Sequence, residues 1–219
     1  MIRLAWRLTL LSFVLVLFAS CAPKYKGDLF LYPGKAATEG YSTSNYDMVF
    51  ENKDVKFTVG QITTSEESAS FLVDDFLLMN YVLLRIRIEN KTRYKIIFNP
   101  ALVSLKDNKM GYEKPLDYTD FYQLSRDDNR FSRDISGLAK VFYDRTEIIK
   151  GGITRTKILV FPPFEKGVKK ANLIIQGLYI GRENLDLTFP FVLKTEEPVK
   201  KVFESLDKGK GYNIHRMFP

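Results

Sequence analysis

The chain of 219 residues contains one cysteine, Cys21, and one histidine, His215. A zinc site built from several Cys and His ligands is therefore excluded, and so is a disulfide within the chain. A serine nucleophile needs an activating base, and His215 lies in a Gly-rich stretch close to the C-terminus. Neither a Gly-x-Ser-x-Gly motif nor a phosphate-binding Gly-rich motif occurs. We predict a protein that is not an enzyme and that uses no cofactor or metal.

Adjacent acidic pairs are the remaining candidates for catalysis or metal binding. Glycosidases use two carboxylates that act on the same bond. Neighbouring residues on a strand point to opposite faces, so two adjacent carboxylates cannot readily reach the same substrate. We interpret Asp127 or Asp128 as the N-terminal cap of a helix. The stretches 127–129 and 107–108 are faint calcium-site candidates, and a hydrolase is a distant third hypothesis.

The first twenty residues have the three parts of a secretory signal peptide. Arg3 and Arg7 supply positive charge, residues 8–18 are almost entirely apolar, and the small residues Ala19 and Ser20 follow. The apolar run of about 11 residues is shorter than the roughly 20 needed to span a bilayer. We therefore expect residues 1–20 to be removed, and an uncleaved N-terminal anchor is the alternative.

The sequence Phe18-Ala19-Ser20-Cys21 resembles the lipobox of bacterial lipoproteins. The resemblance implies cleavage between Ser20 and Cys21 and attachment of fatty acyl chains, such as palmitate, to Cys21. Phe18 departs from the usual aliphatic residue at its position. Two acyl chains form a stable membrane anchor. No Asp follows Cys21 directly, which in lipoproteins of enterobacterial type goes with the outer membrane. We expect a cell-envelope protein, lipid-anchored to the outer membrane and facing the periplasm.

The charge pattern argues against nucleic-acid binding. The formal net charge is +7, and two of the positive charges lie in the signal peptide. No run of Lys or Arg is longer than two residues, whereas nucleic-acid binding needs a clustered basic patch or a reading motif.

Most of the remaining chain alternates between apolar and polar residues, which is typical of half-buried strands. The clearest case is Tyr81–Asn90, where Ile86 is predicted to face the core and Arg87 the solvent. Other strands are predicted over 55–60, 94–98, 101–105, 153–161, 173–179 and 185–193. Residues 21–54 are rich in Gly, Pro and Ser and are predicted to form a tether, although residues 29–32 could add an edge strand.

Helices are predicted at two places. Phe131, Ile135, Leu138 and Phe142 have helical spacing, and residues 117–124 form a shorter helical turn, so residues 117–144 are predicted to be a helical insertion between strands. Residues 195–219 are predicted to hold a C-terminal helix and a tail, with Pro198 at the first helical position.

The strand ending in Glu89-Asn90-Lys91, the turn at residues 106–109 and the Gly151-Gly152 pair resemble immunoglobulin-like domains of uncharacterised bacterial surface lipoproteins. The resemblance covers residues 55–194. It implies a mainly β fold, an antiparallel immunoglobulin-like sandwich. The helical insertion and the lack of a Cys…Trp…Cys core are departures from the pattern.

The insertion combines aromatic and Arg residues, which interface hot spots favour. We predict a partner-binding surface at Tyr118, Tyr122, Arg126, Arg130 and Arg133, and plain packing of the insertion is the alternative. A second candidate surface is the loop 161–164, whose two Phe could equally be turned inward.

Two hypotheses about function follow. The favoured one is an accessory protein that presents its β-sandwich to an envelope protein or to the cell wall. The alternative is a receptor or carrier of a small apolar or acidic ligand, held between the sandwich and the insertion.

Overall fold

The computed structural model describes residues 29–35, 39–64, 67, 75–127 and 140–195. The strands in these ranges are β1 (Phe30–Pro33), β2 (Tyr41–Ser44), β3 (Asp47–Glu51), β4 (Val55–Gln61), β5 (Val82–Asn90), β6 (Ile96–Phe98), β7 (Val103–Asp107), β8 (Tyr112–Glu113), β9 (Glu147–Ile149), β10 (Thr154–Phe161), β11 (Lys170–Ile180) and β12 (Glu183–Lys194). The helices are α1 (Asp75–Asn80), the short 3-10 helix Pro100–Leu102 and α2 (Tyr118–Asp127). No helix in the described ranges is long and apolar enough to cross a membrane.

The strands form two antiparallel sheets. The first sheet has the order β10-β5-β4-β3-β2. The second sheet has the order β1-β12-β11-β6-β9, with β7 also paired to β11 and β8 paired to β7. The chain is therefore mainly β, as predicted, and every strand predicted between residues 55 and 194 is present.

The inner faces of the two sheets share one apolar core. Phe57 of the first sheet stacks on Phe189 of the second, with ring centroids 5.5 Å apart, and meets Phe98 edge-on at 6.1 Å. Ile86 is fully buried and Arg87 is exposed, which confirms the predicted facing of β5. Other members of this core are Val55, Val59, Ile88, Leu105, Leu173 and Phe191. The arrangement is sandwich-like.

A second apolar cluster lies on the outer face of the first sheet. Leu83 of β5 and Ile158 and Val160 of β10 are buried there against Leu77 of α1 and Phe121 of α2. The two helices thus cover one end of the sheet, which explains why the last four residues of β10 are buried on both faces.

The buried side chain of Asn90 joins the two sheets at the point where the chain crosses between them. Its Nδ2 donates to the carbonyl oxygens of Tyr94 (2.7 Å) and Ile149 (3.0 Å), and its Oδ1 accepts from the backbone N–H of Thr92. Its backbone also bonds to Gly152 and Ile153 in the β9–β10 turn. One amide therefore holds both the β5–β6 and the β9–β10 connections.

Gly151 allows these two connections to approach each other. A Cβ at this position would collide with the carbonyl oxygen of Thr92 and with the backbone of Arg93. Gly152 next to it has a φ of 71°, which glycine adopts without strain. The Gly151-Gly152 pair is therefore a packing requirement of the turn.

The predicted tether is wrong for residues 41–51, which form a hairpin at the edge of the first sheet. Asn45 and Tyr46 both have positive φ, as a two-residue hairpin turn requires. The polar residues of β2 indicated a loop, but an edge strand exposes most of its side chains, and Tyr41 packs on Phe50 and Phe189. The edge strand predicted at residues 29–32 is confirmed as β1, which pairs with β12.

The insertion differs from its predicted form at the ends that the structure describes. The shorter helical turn is the ten-residue α2, which extends to Asp127. Asp127 is therefore not the N-terminal cap of a helix, and Asp128, the other candidate for the cap, lies outside the described residues. Phe142 does not continue a helix but forms a parallel bridge with Ile158 of β10. The stripe positions Phe131, Ile135 and Leu138 and the C-terminal helix lie outside the described residues.

The two faces of β5 should differ sharply in their response to truncation. Ile86→Ala should lower the free energy of unfolding by roughly 2–5 kcal/mol, because it leaves a cavity in the shared core. Arg87→Ala is the matched surface control and should cost less than about 1 kcal/mol. Urea denaturation of both variants measures this, and equal losses would contradict the assignment of faces.

The Asn90 side chain should contribute far more to the free energy of unfolding than an ordinary turn asparagine does. Asn90→Ala leaves the buried carbonyl of Ile149 without a donor, so we expect a loss of roughly 2–4 kcal/mol. Asn99→Ala is the control, since Asn99 caps the exposed turn before the 3-10 helix, and its loss should be about 1 kcal/mol. A loss at Asn90 no greater than at Asn99 would show that the sheets are joined by other contacts.

Candidate functional site

The insertion is tied to strand β10 at both of its ends. Before α2, the backbone N–H of Leu116 donates to the carbonyl of Val160 (2.7 Å). After the insertion, the N–H of Tyr143 donates to the carbonyl of Ile158 (2.9 Å). The edge of β10 that is not paired with β5 therefore receives both ends of the insertion, and this fixes where α2 lies.

The sequence Asp117-Tyr118-Thr119-Asp120 starts α2 with reciprocal capping bonds. Asp117 Oδ1 accepts from the N–H groups of Thr119 and Asp120, and Asp120 Oδ2 accepts from the N–H of Asp117. This is the geometry of a capping box, here with Asp at both positions. The N-terminus of α2 is thereby held in place.

Helix α2 has an inward and an outward side. Phe121 is buried and stacks on Phe142, with ring centroids 4.9 Å apart. Tyr118 and Tyr122, one turn apart, are 48% and 51% exposed. Arg126 occupies the next position of the same i, i+4 row in the last turn. The structure thus places Tyr118, Tyr122 and Arg126 along one row of α2, whereas Arg130, Arg133, Ser20 and Cys21 lie outside the described residues.

A cleft of about 450 Å³ separates the start of α2 from the sandwich. Its walls come from three segments: residues 99–101 at the 3-10 helix, residues 114–117 with Asp120, and residues 143–146 after the insertion. Its charged residues are the carboxylates of Asp117, Asp120 and Asp144 and the cations of Lys114 and Arg145. We call this the insertion cleft.

Asp144 is the most unusual residue of the insertion cleft. Its side chain is only 2% exposed, and its Oδ2 is buried without a hydrogen-bond partner. Its Oδ1 lies 3.6 Å from Nε of Arg145, whose own side chain is 67% exposed. Asp144 is not among the site residues predicted from the sequence. The one indication in the sequence is that Asp144 directly follows the apolar residues Val141, Phe142 and Tyr143. A carboxylate next to such a run becomes costly if it is buried with them.

The neighbouring Tyr143 belongs to the core rather than to the exposed surface. Its ring meets Phe98 edge-on at 4.8 Å, and Nζ of Lys157 lies 5.5 Å from the ring centroid. Burial raises the pKa of the Tyr143 hydroxyl strongly, and the charge of Glu147 adds to this effect. The hydroxyl is therefore neutral, and it has no hydrogen-bond partner.

A second polar depression, of about 420 Å³, lies on the outer face of the first sheet. Arg85 dominates it, with Nη2 2.8 and 3.0 Å from the two oxygens of Asp47 and Nη1 bonded to Glu67. Burial raises the pKa of Glu67 despite the opposing effect of Arg85. Because both carboxylates already bond to Arg85, this cluster is a cross-strand ion-pair network rather than an open site.

Other predicted site features have structural roles. Asp107 Oδ1 accepts from the N–H groups of Lys109 and Gly111, and Asn108 Oδ1 accepts from those of Lys169 and Lys170. These oxygens shape a turn, and no group of three or more potential metal ligands occurs among the described residues. In the loop 161–164, Phe161 and Phe164 are both buried, so the inward alternative is confirmed.

Comparisons with known proteins give no family assignment. No protein-family model matches the chain, and no curated protein matches it. A search of solved structures finds the YjhA protein of Bacillus subtilis at 13% sequence identity and a TM-score of 0.36. That similarity covers 64% of this chain and 93% of the YjhA chain. The site must therefore be interpreted from its own geometry.

The unpartnered hydroxyl of Tyr143 predicts a stabilising substitution. Tyr143→Phe removes a buried polar group that has no hydrogen bond and keeps the ring, so the free energy of unfolding should rise by about 1 kcal/mol. Tyr143→Ala is the contrasting variant and should cost about 3–5 kcal/mol. Thermal and urea unfolding test this, and a destabilised Tyr143→Phe would mean that the hydroxyl makes a bond.

Proposed function

We propose that the protein is a lipid-anchored, non-enzymatic binding protein of the bacterial cell envelope. The support for the anchor is the N-terminal pattern: a basic start, a short apolar run and Phe18-Ala19-Ser20 before the single cysteine. The proposed location is the outer membrane, with the folded domain in the periplasm. Two packed antiparallel sheets support the finer proposal of an immunoglobulin-like sandwich as the folded domain.

The observation that carries the binding role is the meeting of the insertion and the sandwich along the insertion cleft. Both ends of the insertion bond to β10. Helix α2 buries Phe121 and leaves Tyr118 and Tyr122 about half exposed. Tyr offers a large contact area at a low cost in side-chain entropy, which is why it is frequent at binding surfaces. A rigidly held element with exposed Tyr suits the capture of an envelope protein or of the cell wall.

A receptor for a small ligand is the second candidate, and the size of the insertion cleft favours it. Small-molecule sites measure about 300–1,000 Å³, and the cleft falls in that range. Its charged residues are three carboxylates and two cations. This balance does not favour an acidic ligand, and it disfavours a purely apolar one. A ligand that brings hydrogen-bond donors fits the cleft better.

The lipid anchor is tested at Cys21. Cys21→Ala should prevent acylation and processing, so the variant should leave the detergent phase or accumulate as the precursor. Cell fractionation and mass spectrometry of the mature N-terminus measure this. A Cys21→Ala protein that is processed normally and stays with the membrane would refute the anchor.

The binding surface on α2 is tested by the double variant Tyr118→Ala/Tyr122→Ala. Both rings are about half exposed, so each change should cost less than about 1 kcal/mol of stability, while complementation of a deletion strain should be lost. Tyr112→Ala is the matched control, because Tyr112 is 57% exposed on β8, and it should complement normally.

A charge reversal extends the test to the predicted Arg residues. Arg126, Arg130 and Arg133 changed together to Glu should leave the circular dichroism spectrum and the melting temperature near those of the wild type, and complementation should be lost. If this triple variant and the Tyr double variant both complement the deletion, the insertion is structural and the binding surface lies elsewhere.

A further inference from the structure

The insertion cleft contains a carboxylate whose environment is incomplete. Asp144 Oδ2 is buried and accepts no hydrogen bond. A charged oxygen removed from water without a partner is costly. The nearby cation of Arg145 compensates weakly, because its Nε is 3.6 Å from the other oxygen and its side chain is mostly in solvent. The folded chain thus carries an acceptor that it does not satisfy.

The other two carboxylates of the cleft differ from Asp144 in this respect. Asp117 and Asp120 have oxygens that accept backbone bonds at the start of α2. Asp117 is exposed and Asp120 half-buried, so solvent also reaches them. They add negative charge to the cleft wall, but unlike Asp144 they are not buried. Three carboxylates against the two cations Lys114 and Arg145 leave the cleft wall with a net negative charge. This balance, with the unsatisfied acceptor of Asp144, favours a cation that also donates hydrogen bonds.

We propose that the insertion cleft binds a small ligand through a primary ammonium group, which donates a hydrogen bond to the carboxylate of Asp144 in the cleft wall. An ammonium supplies N–H donors to the unsatisfied carboxylate and a positive charge in addition to the distant one of Arg145. A neutral hydroxyl supplies only the donor, and a carboxylate ligand supplies neither. This inference names the ligand chemistry for the receptor role proposed above and rests on that role, but it does not depend on the lipid anchor or on a protein partner.

The first experiment compares three probes of nearly equal size on the full-length wild-type protein in detergent. n-Propylammonium, n-propanol and propionate are titrated into ¹⁵N-labelled protein and followed by NMR. We expect saturable shifts at the amides of residues 99–101, 114–117 and 143–146 with n-propylammonium alone. Saturation by propionate or propanol at these residues, or no saturable shift with n-propylammonium, would overturn the proposal.

The second experiment uses Asp144→Asn, which keeps the shape of the side chain and removes its charge. The affinity for n-propylammonium should fall at least about tenfold, which is about 1.4 kcal/mol. The melting temperature without ligand should rise, because a neutral amide replaces a buried carboxylate whose only ion pair, with Arg145, is long and largely in solvent. Asp186→Asn is the control, since Asp186 is exposed on β12, and it should change neither value.

The outcomes separate this inference from the wider proposal. If Asp144→Asn binds n-propylammonium as tightly as the wild type, Asp144 is not the receptor group and the inference fails. If Asp144→Asn does not fold, the probe comparison on the wild type still decides. A protein that binds no amine but loses function in the Tyr118/Tyr122 variant would retain the partner-binding role and refute the ammonium site alone.

Discussion

The side chain of Asn90 is hydrogen-bonded to both connections through which the chain crosses between the two sheets. The chain leaves the first sheet after β5 and returns to it before β10, and Asn90 bonds to both connections. The apolar core drives the sheets together but does not by itself select how they are connected. A fully satisfied amide at the crossing supplies that directional information, and Gly151 gives the two connections room to meet.

The position of the insertion follows from this crossing. Because β10 pairs with β5 along one edge, its other edge receives Leu116 and Tyr143 at the two ends of the insertion. Leu83, Ile158 and Val160 then bury the inner side of α2. The insertion cleft forms where the capped start of α2 stops short of the sandwich. The site is thus a consequence of how the insertion is tied to the sheet.

Alternation of apolar and polar residues predicted β4, β5, β6, β7, β10, β11 and β12, because each of these strands has one face in the shared core. The short strands β8 and β9 were not predicted, because two or three residues show no clear alternation. The hairpin of β2 and β3 was not predicted, because an edge strand such as β2 can be polar on both faces. Its turn is recognised only in the structure, from the positive φ of Asn45 and Tyr46. The row of Tyr118 and Tyr122 was predictable from helical spacing. Asp144 was not, because its burial depends on contacts between segments far apart in sequence.

We propose that the protein meets its partner on the α2 side, and photo-crosslinking in living cells is the sharpest test of this proposal. A photoreactive phenylalanine analogue is placed at Tyr122 and, as a control of similar exposure, at Tyr94 in the β5–β6 turn. We expect a discrete crosslinked species from position 122 and none from position 94. A species from position 94 with none from position 122 would contradict it.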